Sequence, residues 1–371
     1  MAKEILPKTY VTKNETIGAV VNFEKTSVGI QGKTVNGSFA VEVWDEKIIR
    51  TRVTKREQFE TQPYAVHVKP DPSVKWNFFE SNTSITITTK KITAVIHKHL
   101  FRVSFRDASG KIINEDDTSF GVSWIGDEMT VYKSLQEGER FIGLGEKTGP
   151  LNRRGQGYTN WNTDYCGYPE ITDPIYATIP FYVGITKSSL YGLFLNNSYK
   201  SHFNFGAANT RFSSITVEHG DIDYFFIHDA SIPGIIERYT YLTGRMPLPP
   251  MWSLGYHQSR YSYFPDNNAI IVATSFRARG IPCDAITLDI HYMDAYKVFT
   301  WHPTRYANPQ EFTSLLRQLG FHTTVIIDPG IKIEDGYSVY EDGKKSNAFV
   351  TYPDGTNYVG ELMPERGGNN N

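Results

Sequence analysis

The chain reads as a β-sandwich followed by an incomplete (β/α)8 TIM barrel (the first three βα units). Three observations carry that reading. From about Thr16 to His228 the sequence is a succession of short apolar or alternating runs broken by turns, the pattern of an antiparallel sandwich. After Pro250 strand-like and helix-like segments alternate, the pattern of a parallel sheet with right-handed crossovers. Third, Gly280–Asp294 reads as one short buried strand that ends in acid.

The elements follow in order. Phe39–Trp44, Ser84–Thr89, Phe101–Phe105 and Ile215–Val217 are strand runs, and Asn36-Gly37 and Ser109-Gly110 are breakers. At Ile232–Thr243 the period changes to helical: Ile232, Ile235, Ile236, Tyr239 and Leu242 can share one face, with Pro233 in the first turn. Pro247, Pro249 and Pro250 form a stiff connector. The boundary is placed there, giving a sandwich with its linker helix over 1–245 and the barrel portion over 246–371.

In the second part, Trp252–Tyr256 is predicted as a strand and Asp266–Arg279 as a helix stopped by Gly280. Ala285–Ile290 is the next strand, and Pro309–Leu319 a helix closed by Gly320. Thr323–Ile327 is a third strand, ending at Asp328-Pro329-Gly330. Residues 331–361 carry turns at Asp335-Gly336, Asp342-Gly343 and Asp354-Gly355, which predicts a hairpin insertion rather than a helix. Eight βα units take ~250 residues, and 121 residues follow Pro250. These residues therefore do not close a barrel. Either the sheet is open or the chain is one part of a longer protein. Its exposed edges would need a homo-oligomer or the remaining part to cover them.

Composition excludes several functions. The net charge is -2 and the pI near 6.6, leaving no footprint for nucleic acid or acidic lipid. Cys166 and Cys283 are the two cysteines, too few for a disulfide scaffold and suited to a reducing compartment. Met1–Pro7 lacks a signal-peptide core, and no run of ~18 apolar residues predicts a membrane span. The expected location is cytoplasmic, and the sequons at Asn14, Asn36, Asn82 and Asn196 are chance matches.

Asp289 is the first candidate for ligand contact. Ile286, Leu288 and Ile290 fall on one face of the strand, and Ala285, Thr287 and Asp289 on the other. A barrel strand packs its back on helices and opens its C-terminal end into a site. Asp294 and Asp328 also lie near strand ends. Asp294 serves equally as a loop or capping carboxylate, and Asp328 as a structural turn. Glycoside cleavage takes two carboxylates ~5–5.5 or ~6.5–9.5 Å apart. Five extended residues would separate Asp289 from Asp294 by ~16 Å, too far for that pair unless the loop folds back. His257, His291 and His302 lack metal-ligand spacing, and no metal or cofactor is expected. Phe141–Thr148 lacks the four-residue gap of a phosphate loop and reads as a sandwich strand and turn. Asn160–Tyr168 is aromatic and polar. It is either a plain surface loop or one that reaches over a site and presents Asp164; carboxylates and ring faces together suit a sugar.

Together these residues resemble glycoside hydrolase family 31, the α-glucosidase family. Phe141–Glu146 is similar to its F-x-G-x-G-E motif, and Trp161-Asn162-Thr163-Asp164 with Ile179–Tyr182 to its sandwich loop. Pro249–Arg260 resembles the first barrel strand, Asp289–Asp294 the D-I-D-Y-M-D signature, Asp328-Pro329-Gly330 the third strand end, and Tyr352–Gly355 the insertion after it. The resemblance implies retaining, exo-acting hydrolysis of α-linked glucose by an Asp nucleophile and an Asp acid/base. It implies that Asp289 binds the hydroxyls of the terminal glucose, Ile290 and Ile331 line that subsite, and Asp164 closes over the sugar. The family's nucleophile and acid/base sit on the fourth and sixth barrel strands, so no catalytic residue is assigned among these 371 and the chain alone is expected to be inactive. Met363 stands where a tryptophan commonly lines the glucose site. The alternatives are a non-catalytic carbohydrate-binding remnant, or a relative acting as transglycosylase, α-xylosidase, α-galactosidase or lyase.

Overall fold

The computed structural model of the protein describes residues 15–60 and 64–360. Asn14 and Met363 therefore lie outside the described residues. The chain divides into two compact units, 1–246 and 247–371.

The first unit is built from three antiparallel sheets of eight, six and five strands. The alternation legible in the sequence becomes burial: Ile85 and Ile87 on strand Ser84–Thr88, and Ile92, Ala94 and Ile96 on strand Ile92–His97, are all fully buried. One continuous core joins the sheets. Phe105 of the five-stranded sheet stacks on Phe226 of the eight-stranded sheet at 4.0 Å. Phe203 of the six-stranded sheet meets Tyr182 of the eight-stranded sheet edge-on at 6.1 Å. The eight-stranded sheet thus forms one layer and the two smaller sheets the other.

The other face of the eight-stranded sheet is covered by helix Ile232–Thr243. Ser231 caps it by accepting from the Gly234 N–H at 3.1 Å, with a proline in its first turn. Ile235 and Leu242 are buried against Phe181, Phe194 and Phe225. Ile236 is 41% exposed, so the buried stripe is narrower than predicted; at 100° per residue it turns away from the sheet.

The second unit holds a three-stranded parallel sheet, His257–Gln258, Ala285–Leu288 and His322–Val325, in that order. Helices Asp266–Ala278 and Pro309–Gln318 supply the crossovers. Ala269, Ala273, Phe312 and Leu316 from the helices pack with Ile286 and Leu288 from the central strand.

Two predicted elements are corrected. Trp252–Tyr256 is not a strand: Met251–Leu254 forms a 3₁₀ turn, and the strand begins at His257. The Pro250 carbonyl accepts from both the Ser253 N–H (3.0 Å) and its hydroxyl (2.8 Å), which turns the chain before it can extend. In the excursion after 331, Ser338–Lys345 is a helix, and the hairpin shrinks to one bridge between Thr351 and Asn357. Gly343 sits inside that helix, where a Cβ would lie 2.4 Å from the Phe349 ring. Its glycine serves a close approach, not a turn.

Candidate functional site

The central barrel strand delivers Asp289 as the parity argument requires. Ile286 and Leu288 point into the helix-side core, and Thr287, on the opposite face, exchanges a hydroxyl hydrogen bond with Thr324 of the neighbouring strand. Asp289 keeps an extended backbone, φ −85 and ψ 174, so it continues the Thr287 face before the chain turns into the 3₁₀ segment Ile290–Tyr292. It is half-buried. One carboxylate oxygen accepts from the Ile290 N–H at 2.7 Å. Among the described residues no cation pairs with it. Ile290 and Ile331 both pack, partly exposed, on the core cluster that contains Ile286 and Leu288.

The other acids sort differently. Asp294 bonds Lys297 at 3.1 Å, and Lys297 also holds Glu334 at 2.8 Å. Hydrogen bonds to Glu334 and then Asp294 raise the Lys297 ammonium above its usual range. Asp294 is therefore a loop-bracing carboxylate. The segment between Asp289 and Asp294 is folded into a 3₁₀ turn, not extended, so the ion pair, rather than an extended span, removes Asp294 as a partner. The loop is strained: Ala295, Tyr296 and Phe299 all adopt positive φ, 48°, 60° and 63°, which concentrates at functional sites. Asp328 is exposed after the third strand, with a turn closed by Gly330 N–H to its carbonyl at 2.8 Å. Burial, and then the nearby Asp328 charge, raises the Tyr292 phenol.

Each strand-end histidine has a packing role. His291 is buried, with Nδ1 2.7 Å from the Ser262 hydroxyl and its ring stacked on Phe264 at 4.8 Å. His302 Nδ1 accepts from the Arg305 N–H at 3.2 Å, and His257 stacks on Trp252 at 5.8 Å. Among the described residues no group of three or more His, Cys, Asp or Glu is placed to hold a metal ion.

In the sandwich unit, Asp164 lies exposed on the loop after strand Gly157–Asn160. The loop carries half-exposed rings, Trp161, Tyr165, Tyr168 and Tyr176. It is tied by specific bonds. The Tyr176 hydroxyl donates to the Tyr165 carbonyl at 3.0 Å, and Asn162 accepts from both the backbone N–H and the hydroxyl of Thr178 at 2.9 Å. Partial desolvation, and then the Asp164 charge, raises the Tyr176 phenol.

Sequence reasoning missed the anchor of this loop. Phe141–Thr148 is indeed a strand and turn: Gly143 has φ +133, and a Cβ there would meet the Phe181 carbonyl oxygen at 2.6 Å. Beyond it, Glu146 accepts the Ala177 N–H at 3.1 Å. The Lys147 side chain is fully buried and bonds Asp173 at 2.8 Å and the Thr159 carbonyl at 2.5 Å. Burial pulls the Lys147 ammonium below its usual range, and Asp173 offsets only part of it. The motif thus clamps both ends of the loop that presents Asp164. A lysine directly after F-x-G-x-G-E was the available signal.

Comparison with known proteins follows the same two units. Residues 38–204 match the description "Glycosyl hydrolase 31 N-terminal galactose mutarotase-like domain", and residues 246–369 match "Glycosyl hydrolases family 31 TIM-barrel domain". Alpha-glucosidase 2 of Bacillus thermoamyloliquefaciens is 35% identical over 359 residues, covering 96% of this chain and 45% of its own length. An alpha-glucosidase of Saccharolobus solfataricus is 34% identical over 239 residues, covering 64% of this chain and 34% of its own. The family 31 dextranase of Flavobacterium johnsoniae, solved with isomaltotriose, aligns with a TM-score of 0.82 at 26% identity, over 92% of this chain and 44% of that one. The chain spans less than half the length of these relatives. With both its units matched in order, the chain belongs to glycoside hydrolase family 31.

Proposed function

We propose that the protein is a retaining, exo-acting α-glucosidase, and that these 371 residues supply its glucose-recognition half. Asp289 accepts hydrogen bonds from two vicinal hydroxyls of the terminal glucose. A half-buried carboxylate without a cation partner gains most from such charge-assisted bonds. Ile290 and Ile331 cover an apolar sugar face. The single observation that carries this reading is Asp289: a carboxylate on the face opposite the helices, at the C-terminal end of a parallel strand, with no cation paired to it among the described residues. The alpha-glucosidases among the relatives support the choice of sugar.

On this reading the 371 residues bind glucose without turning over α-glucosides, because the family's nucleophile and acid/base belong to later strands. Equilibrium dialysis with glucose, galactose and xylose checks the sugar. Glucose should win by roughly tenfold or more, since a site built around a hydroxyl rejects analogues that lack or misplace it. Equal binding of galactose or xylose would hand the site to one of the other family activities. Sustained release of p-nitrophenol from its α-glucoside by the purified chain would contradict the division of labour.

A further inference from the structure

A second concave site lies wholly within the sandwich unit. A cavity of about 600 Å³ opens where strand Gly157–Asn160 runs into the aromatic loop, and its wall includes Asn160, Trp161, Thr178, Asn197, Tyr199 and Tyr239. That volume suits a small-molecule ligand. Asp164 does not line it. Among the described residues, no Lys, Arg, Asp or Glu lines it either. A phosphate, carboxylate or metal ion would find no opposite charge there. A plain hydrocarbon would leave the amides and hydroxyls of the wall unpaired. An uncharged polyol with apolar ring faces meets both requirements.

The rings divide by availability. Tyr239 is spent on packing, stacked on Phe181 at 4.1 Å. Trp161 and Tyr199 are 50% and 40% exposed and present surface to a pyranose. The amides divide in the same way. Asn197 is spent: its nitrogen bonds the His219 and Asp221 carbonyls, and its oxygen accepts from the Tyr199 N–H at 2.8 Å, which fixes Tyr199. Asn160 is 5% exposed, and among the described residues neither its amide nitrogen nor its oxygen has a hydrogen-bond partner. An amide buried in that state is costly unless something pairs with it. Its donor and acceptor together match a hydroxyl, which needs both.

We propose that this cavity is a second carbohydrate site, holding one or two glucosyl units of an α-linked oligosaccharide independently of Asp289. The proposal rests on the glucosidase reading only for the choice of sugar. The probe is maltotriose, titrated into the 371-residue chain labelled at isoleucine δ1 methyls. Ile179 lines the cavity, whereas Ile290 and Ile331 report the barrel unit. The Ile179 methyl should shift on titration and should still do so in Asp289→Ala. Trp161→Ala and Asn160→Leu should each weaken that shift by about tenfold in apparent Kd. Trp161 is half-exposed, so Trp161→Ala keeps the test open should Asn160→Leu fold poorly. An unmoved Ile179 in the wild type, its loss in Asp289→Ala, or an unchanged titration in Trp161→Ala overturns the proposal. Failure of the Asp289 reading appears separately, as Ile290 and Ile331 shifts that Asp289→Ala leaves intact.

Discussion

The two units treat a carboxylate in opposite ways. In the sandwich, the Asp116 side chain is 1% exposed and bonds that of Lys133, equally buried, at 2.6 Å, while Lys133 also donates to the Tyr224 hydroxyl at 2.8 Å. Burial alone would lower the Lys133 ammonium, yet Asp116 and Tyr224 outweigh it and the net shift is upward. In the barrel unit, Asp289 is half-buried at a strand end and holds its own next backbone N–H. A buried carboxylate with every need met is architecture. One left half-satisfied at the mouth of a sheet is where the proposed sugar would bind.

That contrast predicts a ranked set of effects. Asp116→Ala leaves a buried ammonium uncompensated and should cost about 3–5 kcal/mol, read as a lower urea midpoint of the sandwich transition. A loss of less than about 1 kcal/mol would mean that the pair is not structural. Leu288→Ala, behind Asp289, should cost about 2–5 kcal/mol through the cavity it opens, and should do so in the unfolding of the barrel unit.

Lys147→Met should be milder, about 1–3 kcal/mol, since Asp173 is left with only the Thr159 N–H. Its distinguishing mark is local: amide exchange should accelerate across residues 161–173 while the sandwich core stays protected. Uniform acceleration would show that the clamp serves the whole unit rather than the loop.

A smaller effect concerns Glu139, which accepts from the Tyr191 hydroxyl at 2.8 Å and the Gln136 N–H at 2.9 Å. Burial raises its carboxyl above the usual range despite those bonds. The folded protein therefore keeps this proton where the unfolded chain, near pH 4.3, has begun to release it. The resulting stability is fully present below that value and declines as pH rises through the folded-state value. Glu139→Gln should flatten this decline, seen as a smaller difference in urea midpoint between pH 4.5 and pH 7. An unaltered difference would assign the decline to another group.

Much of this was legible in the sequence, and the reasons separate cleanly. Period-2 and period-3.6 patterns are local, so strands such as Ser84–Thr88 and helices such as Ile232–Thr243 and Pro309–Gln318 could be read directly. The parity of Asp289 was legible too, because a strand that packs on helices has only two faces. Trp252–Tyr256 misled because its apolar residues match a strand, while the deciding contact is a carbonyl at Pro250. Asp342-Gly343 misled because a glycine's reason, here the Phe349 ring, lies elsewhere in the chain. Lys147 and Asp173 stand 26 positions apart, and Lys133 and Asp116 are 17 apart. No periodicity links such pairs, so both anchors stayed hidden until the fold joined them.

The smallest stability effect carries the largest functional one. Asp289→Ala should change the melting behaviour by no more than about 0.5 kcal/mol, since among the described residues no ion pair is broken. The decisive measurement is a glucose titration of wild type and Asp289→Ala, followed at the δ1 methyls of Ile290 and Ile331. Saturable shifts in the wild type that vanish in the variant are the predicted result. Methyls that stay still in both proteins, or move equally in both, contradict a sugar held at the end of this strand.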